Sequence, residues 1–322
     1  MSEPSGPTSN GAAAPAVRPT NADDRPARLA IGVVGTGRVG AVLGAALARA
    51  GHRVVAAYAV SVASRQRAHA LLPGVPLVTP HEVFEASELV VLAVPDDVLP
   101  TLVEGLVATG SVRTGQIIAH TSGGYGIDVL EPATRAGALP LALHPAMTFT
   151  GTALDLERLA GAMFGVTAPE PLWPVSEALV VEMGSEPIRI AESDRMLYHA
   201  ALAHGANHLV TLVNDAMDLL REAGVAEPDR TLAPLLSAAL DNVLRQGDAA
   251  LTGPVARGDA GTVARHVSAI EGVASEAVAA YVALARRTAT RALASGRLRA
   301  ADAEPLLDAL GGRPSQDWDG SR

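Results

Sequence analysis

The chain has 322 residues, a formal net charge of −9 and no cysteine. The acidic balance argues against nucleic acid as a partner, and the missing thiols exclude disulfides, thiolate catalysis and Cys-ligated metals. Lysine is absent too, since all 25 residues of the Lys+Arg count are arginine. That excludes Schiff-base, pyridoxal-phosphate and P-loop lysines, so a proton donor must be His, Tyr, a carboxylic acid or water.

Residues 1–26 are mostly Ser, Pro, Ala, Gly, Asn and Asp, and read as disordered. No basic region followed by an apolar core marks a secretory signal. No apolar stretch reaches membrane length without turn signals. A cytoplasmic, membrane-free protein is the expectation, and the length suits two domains.

The first element is the apolar run Leu29 to Val34, of the right length for a buried strand. It leads into Gly35-Thr36-Gly37-Arg38-Val39-Gly40, a G-x-G-x-x-G, and then into a helical pattern that Gly51 ends. Strand, glycine turn and helix in this order are what a dinucleotide pyrophosphate requires. Gly35 allows the tight turn, Gly37 the approach of a phosphate, and Gly40 the close packing of helix and strand. Gly35, Thr36, Gly37, Arg38 and Val39 are therefore candidate cofactor-binding residues.

The next run, His52 to Val60, reads as a second strand. An NAD site usually carries an acid at the end of this strand. Here the sequence continues Ser61-Val62-Ala63-Ser64-Arg65, with no acid. Ser61, Ser64 and Arg65 suit a 2′-phosphate, so NADP is the expected cofactor. The bland reading of these residues is a solvated helix start.

A short helix from Ser64 to Leu72 and a brief strand at Leu77 and Val78 come next. Thr79 caps a helical turn from Pro80 to Ala86, with Glu82 placed for a capping box. Glu88 to Val94 is a buried strand ending in Pro95-Asp96-Asp97. Loops at the carboxyl ends of such strands line the ligand crevice, so Val94, Pro95 and Asp96 join the cofactor candidates. Asp96 and Asp97 are equally placed to cap the helix Val98 to Ala108.

Gln116 to His120 is a strand followed by Thr121-Ser122-Gly123-Gly124. Leu139 to Leu143 is a strand followed by His144-Pro145. Ser122 can donate to a carbonyl or carboxylate, and His144 is either a substrate contact or a structural histidine that fixes the turn before Pro145. Met163 to Thr167 and Pro187 to Ile190 are two last strands, with the helix Val175 to Met183 between them.

From Ser193 the pattern turns helical. Asp194 to Ala223 forms one long striped helix. Leu232 to Gln246, Ala260 to Glu271 and Ser275 to Ala294 follow, with a short last turn from Pro305 to Leu310. On the long helix, His199, Ala203 and Asn207 fall on one stripe and His204 and His208 on another. The last two resemble a metal pair, but no third ligand stands nearby. His199 is a candidate proton donor, since histidine is the side chain that ordinarily changes charge near neutrality. Asn207 would orient substrate or the nicotinamide ribose. In the loop Leu251 to Asp259, Arg257 could take a carboxylate in two parallel hydrogen bonds, held by Asp259, while Asp259 also suits the cap of the next helix.

The expected fold is an α/β Rossmann domain, doubly wound and mostly parallel, followed by an all-α domain. The expected division is a disordered segment at 1–26, an NADP-binding domain at 27–192, a helical substrate and dimerisation domain at 193–310, and a disordered tail at 311–322.

The segments GVVGTGRVG, VVLAVPDD, HTSGG, LHPAMTF, YHAALAHGANHLVTL and LTGPVARGD together resemble a bacterial family that joins a Rossmann-like domain to a helical C-terminal domain. That family looks like a relative of pyrroline-5-carboxylate reductases, ketopantoate reductases and coenzyme F420-dependent NADP oxidoreductases. The resemblance covers roughly residues 28–310. It implies NADP binding, a two-domain reductase architecture and a homodimer through the helical domains. In prephenate-type dehydrogenases a His-Pro position like His144-Pro145 touches substrate. One departure matters: ketopantoate reductases carry a catalytic lysine four residues before an asparagine on the long helix, where this chain has Ala203 before Asn207.

These readings converge on an NADP-dependent reductase of a small carboxylated carbonyl or imine, with a ketopantoate-like 2-oxo acid as first choice. Catalytic candidates are His144, His199, Asn207, Ser122 and Arg257, with no metal. The alternatives are a non-catalytic NADP-binding sensor or assembly protein and an F420-linked NADP reductase.

Overall fold

The computed structural model describes residues 28–311; the segment 1–26 and the tail after Gly311 lie outside the described residues. The chain divides into two compact units, one ending at Leu202 and one beginning at Ala203.

The first unit is built on seven strands: β1 (Ala30–Val34), β2 (Arg53–Tyr58), β3 (Leu89–Leu92), β4 (Ile117–His120), β5 (Leu139–Pro145), β6 (Met163–Thr167) and β7 (Glu186–Arg189). They lie in the order β2-β1-β3-β4-β5-β6-β7. All neighbours are parallel except β5 and β6. The helices of this unit are α1 (Arg38–Arg49), α2 (Val62–Leu71), α3 (Pro80–Ala86), α4 (Leu99–Ala108), α5 (Glu131–Arg135), α6 (Leu154–Arg158), α7 (Trp173–Glu182) and α8 (Arg195–Leu202).

The apolar strands alternate between two cores, because successive side chains leave a strand on opposite faces. Ile31, Val33, Leu89 and Val91 pack under α1 and α7, among Leu43, Leu47 and Leu179. Val34, Val90 and Leu92 turn the other way, toward Phe84 of α3 and Leu99 and Val103 of α4. Covering both faces explains why the central strands read as unbroken apolar runs.

Local signals explain the helix starts. Thr79 accepts from the Glu82 N–H while the Glu82 carboxylate accepts from the Thr79 N–H, the expected capping box. Ser61 caps α2 by accepting from the Ser64 N–H. The helix after Asp96 and Asp97 does not use either aspartate: α4 has Val98 at its N-cap and no side-chain cap bond, because the Val98 and Leu99 N–H groups bond the Pro95 carbonyl instead. The brief strand at Leu77 is a single bridge to Ala57. Strand β5 runs two residues past Leu143, carried by antiparallel pairing of His144 with Gly165 and of Pro145 with Phe164.

The second unit holds α9 (His208–Glu222), α10 (Pro228–Gln246), α11 (Gly253–Ala256), α12 (Ala260–Val273), α13 (Ser275–Ala294) and α14 (Ala300–Ala309). Its core is small-residue packing, with Ala256, Val263, Ala285, Ala289 and Leu306 from α11 to α14. Asp259 caps α12 as expected, accepting from the Thr262 N–H. The single long helix expected from Asp194 to Ala223 is broken by a π-helical turn, Ala203–Asn207. A π turn holds an extra residue, so the 199, 203, 207 stripe drawn with α spacing does not carry through it. Pattern alone places a change at Ser193; the first unit extends to Leu202 because Arg195 and Tyr198 of α8 pack into it.

In α9 no residue is buried, and in α10 only Pro228 is. Val210, Leu235 and Leu244 are 62%, 65% and 78% exposed. No described helix is long and apolar enough to cross a membrane.

Candidate active site

The glycine turn follows β1 directly. Gly35 has φ +96°, which an L side chain rarely adopts, and a Cβ there would meet the Ala93 carbonyl oxygen at 2.5 Å. A Cβ on Gly40 would stand 2.1 Å from the Gly35 carbonyl oxygen. Both glycines are required by packing. Gly37 differs, for a Cβ there would meet nothing within 4 Å. It sits at the N-cap of α1 with no side-chain cap, and no acid occupies the first turn. The donors and dipole end of α1 thus open toward free space, a fit for a pyrophosphate. Thr36 is different again. It is fully buried, its hydroxyl donates to the Ser64 carbonyl and its N–H to that of Tyr58, so it is a structural member of the turn.

At the end of β2 the serines are engaged locally. The Ser61 hydroxyl caps α2, and the buried Ser64 hydroxyl donates to the Ser61 carbonyl. Arg65 is exposed on the first turn of α2. A basic feature that the sequence did not suggest lies alongside. A Cβ on Gly151 would stand 2.7 Å from Nε of Arg67 and 3.2 Å from Cγ of Arg38, so both arginines lie against this glycine. The Gly151 loop is pinned by the buried Asp155, which accepts from the N–H groups of Thr150 and Gly151. Burial opposes ionisation of this carboxyl, but the bonds from Gly151 and Thr150 outweigh it and hold its pKa below the usual range.

The carboxyl ends of β1, β3, β4 and β5 open on one cleft, lined by Arg38, Val94, Asp96, Ser122, His144 and His199 among others. Gly123 and Gly124 make room for it. A Cβ on Gly123 would stand 2.8 Å from His199 Cδ2 and 2.9 Å from His144 Nε2. One on Gly124 would stand 3.2 Å from His199 Nδ1 and 3.5 Å from Asp96 Oδ2. The rings of His144 and His199 are 5.9 Å apart.

The loop is held from beneath by His120. Its Nε2 donates to the Gly126 carbonyl at 2.7 Å, which leaves Nδ1 to accept the Ser122 N–H at 3.2 Å. Both bonds suit the neutral ring, and burial pushes its pKa down to about 4. The Ser122 Oγ accepts from the Tyr125 N–H, leaving its own hydrogen for a ligand.

His144 has a partner on the side away from the cleft. Its Nδ1 lies 2.9 Å from the Tyr198 hydroxyl, and the two rings meet edge to face. Burial, then His199 and Arg195, push the His144 pKa down to about 4. Tyr198 fits only because position 165 is glycine: a Cβ there would stand 2.6 Å from the phenol oxygen. Arg195 is 1% exposed. It donates to Thr167 Oγ1 and to the Ala142 and Gly165 carbonyls, and its Nη1 has no partner. Burial lowers its pKa to about 10. Neither Arg195 nor Tyr198 stands among the candidates read from the sequence. The signal that could have found them is helical spacing, since Arg195 precedes Tyr198 by three residues and His199 by four.

The remaining candidates belong to the second unit. Asn207 is exposed in the π-helical turn, and Arg257 is exposed at the end of α11 without an ion pair to Asp259. His204 and His208 lie Nδ1 to Nδ1 at 3.1 Å, and no group of three potential ligands forms around them or elsewhere among the described residues.

A mostly parallel sheet, a glycine turn into α1 and a helical unit after it define a two-domain protein with a Rossmann-type first domain. Known families agree: residues 16–145 match the Rossmann-like domain, and residues 162–288 match a domain of unknown function, DUF2520. Both matched domains thus lie in this one chain. Among solved structures it is similar to a candidate NADP oxidoreductase, BF3122, from Bacteroides fragilis, at 21% identity and a TM-score of 0.68, covering 82% of this chain and 98% of that one. It is also similar to protein TM1727 from Thermotoga maritima, at 21% identity and a TM-score of 0.62, covering 83% and 99%. A reductive aminase from Aspergillus terreus, solved with NADPH and ethyl levulinate, aligns at 19% identity and a TM-score of 0.61, covering 88% and 99%. Among curated proteins the sequence finds no match.

Proposed function

We propose that the chain is an NADP-dependent reductase of a small carboxylated carbonyl or imine. The observation that carries this reading is the gathering of Ser122, His144 and His199 around Gly123 in one cleft with the open N-terminus of α1. The similar structures include proteins described as NADP oxidoreductases, imine reductases and reductive aminases, which supports the class.

The cofactor supplies the hydride when bound. Gly37, Arg38 and Val39 hold its pyrophosphate at the start of α1. Arg65 takes the 2′-phosphate, and Arg67 and Arg38 around Gly151 are further ligands for it. Val94, Pro95 and Asp96 flank the ribose. Ser122 donates to the substrate, and His144 or His199 supplies a proton to the atom that gains charge. Asn207 orients the substrate, Arg257 pairs with its carboxylate, and the exposed face of α9 and α10 joins a second copy. Product analysis after incubation of NADPH with pyruvate, ketopantoate and pyrroline tests the reading. Consumption of NADPH with a reduced product supports it; no product from any of the three argues against it.

The second reading, a non-catalytic NADP-binding protein, is favoured by one observation, the absence of lysine at Ala203. It requires NADPH binding without turnover.

A further inference from the structure

Arg195 presents an electrostatic problem. Its guanidinium is 1% exposed, yet every partner it has is neutral: one hydroxyl and two carbonyls. No carboxylate lies within ion-pair distance of it among the described residues. A buried cation without an anion is costly. The nearby group whose ionisation would compensate it is Tyr198, whose ring centroid lies 6.0 Å from Arg195 Cζ; burial raises the phenol's pKa and keeps it neutral at rest, while the Arg195 charge opposes that rise. Glu192, the other acid that favours the Arg195 charge, is engaged elsewhere, its carboxylate accepting from the Ile127 and Asp128 N–H groups.

Tyr198 in turn touches the site. Its hydroxyl meets His144 Nδ1, while His144 Nε2 lies on the Gly123 side, where the cleft opens. Histidine joins the two sides because its nitrogens point in opposite directions.

We infer that Tyr198 and Arg195 form a proton relay behind His144, in which the phenol refills Nδ1 as Nε2 gives its proton to the substrate. The inference rests on the reductase reading. For a carbonyl substrate the step balances. The Nε2–H bond breaks as an O–H bond forms on the developing alkoxide. The Tyr198 O–H bond breaks as an Nδ1–H bond forms. Imidazole begins and ends neutral, the negative charge moves from alkoxide to phenolate, and the phenolate comes to rest beside Arg195. A solvent proton later reaches Nε2 through the open cleft as Nδ1–H returns its proton to the phenolate, which restores the resting tautomer. Such a relay lets a histidine that stays neutral act as an acid, so it needs no imidazolium. Tyr198 and Arg195 do not touch the substrate; they act through His144.

The resting state must then have its proton on Nε2, with Nδ1 accepting from Tyr198. Nitrogen NMR of the full chain labelled with ¹⁵N-histidine, with His144→Gln used to assign the signal, reads this directly and needs no turnover. The expected result is an Nε2–H tautomer for His144 that shifts toward the mixture of a free imidazole in Tyr198→Phe. An Nδ1–H tautomer in the unaltered protein overturns the relay, because His144 would then donate to Tyr198.

Kinetics with ketopantoate and NADPH give the second readout. Tyr198→Phe is expected to lower kcat by about two decades with KM for NADPH unchanged, and to turn a curved solvent-deuterium proton inventory into a straight line. A structural staple between α8 and the sheet would leave the inventory unaltered, and unaltered kcat overturns the relay while the reductase reading stands. Should Tyr198→Phe fold poorly, fluorotyrosine at position 198, which changes acidity and little else, is expected to shift the pH profile of kcat; no shift overturns the relay. If no substrate turns over, the reductase reading falls, and the tautomer still decides the direction of the Tyr198–His144 bond.

Discussion

The Cα of Gly40 faces the carbonyl oxygen of Gly35 so closely that a Cβ would stand 2.1 Å away, whereas Gly37, midway between them, faces open space. Two glycines of one motif thus serve packing and one serves approach. Gly40→Ala is expected to lower both Tm and NADPH affinity, since helix and turn must separate. Gly37→Ala is expected to keep Tm within a degree or two and still weaken NADPH by more than about tenfold, a loss of roughly 1.4 kcal/mol. Thermal melts and calorimetry on both variants check this. Equal loss of Tm in the two would contradict it.

NADPH should bind well and NADH poorly. Arg65→Ala and Arg67→Ala are each expected to weaken NADPH by about one to two decades, the value of a charge-assisted bond at roughly 1.5–3 kcal/mol, and to leave NADH nearly unchanged. Calorimetry with both nucleotides decides. A Ser61→Ala variant separates the two roles of that serine. Its hydroxyl caps α2, so Tm should fall with a cost of about 1 kcal/mol even if NADPH affinity holds.

Acid should destabilise the first unit before its carboxylates titrate. His120 and His144 are both depressed from 6.5 to about 4. Between those values the unfolded chain binds the protons and the folded chain does not. Their contribution is therefore complete above pH 6.5 and is lost as pH falls toward 4. The loss is about 1.4 kcal/mol for each pH step of one within that window for a fully buried ring, and less for His144. Urea midpoints measured through this window should fall with pH, and His120→Gln should flatten the slope. A flat profile in the unaltered protein would show that both rings take up protons in the fold as readily as in the unfolded chain.

For chemistry, Asn207→Ala is expected to abolish turnover while NADPH still binds. Arg257→Ala should raise KM for a carboxylate substrate far more than it alters cofactor affinity. His144→Ala and His199→Ala should differ, with the proton donor costing about two to four decades in rate. Steady-state kinetics on the four variants check the assignment, and equal effects at both histidines would count against a single donor.

The exposed face of α9 and α10 should be covered in solution by a second copy. Light scattering at micromolar protein is expected to give a dimer mass, and Leu244→Glu, at the most exposed of the large apolar residues, is expected to give a monomer. A monomeric mass for the unaltered chain would contradict the assignment.

What the sequence disclosed and what it concealed divide along physical lines. The glycine turn was legible because strand, turn and helix each leave their own signature in adjacent residues. The capping box of Thr79 and Glu82 was legible for the same reason. Features made by pairing across the fold were not. Strand β5 reads as stopping before His144-Pro145, since proline usually ends a strand, but pairing with β6 carries it on. Helix α11 begins at Gly253-Pro254, residues that read as a loop. The π turn arises within a stretch whose α periodicity is strong on either side. The Arg67–Arg38 pair and the Tyr198–His144 contact join residues far apart in the chain, and no local pattern announces those contacts.

The two margins of the sheet also have a consequence for how this chain behaves when crowded. On one margin β2 is met by the Leu77 bridge, with the Val78 N–H donating to the Ala57 carbonyl. On the other, β7 offers only Glu186, Pro187, Ile188 and Arg189, where proline has no N–H to give and the charged ends resist an incoming strand. Both edge strands thus carry features that discourage strand addition, so a partly unfolded neighbour finds less of a template here than a bare apolar edge would give.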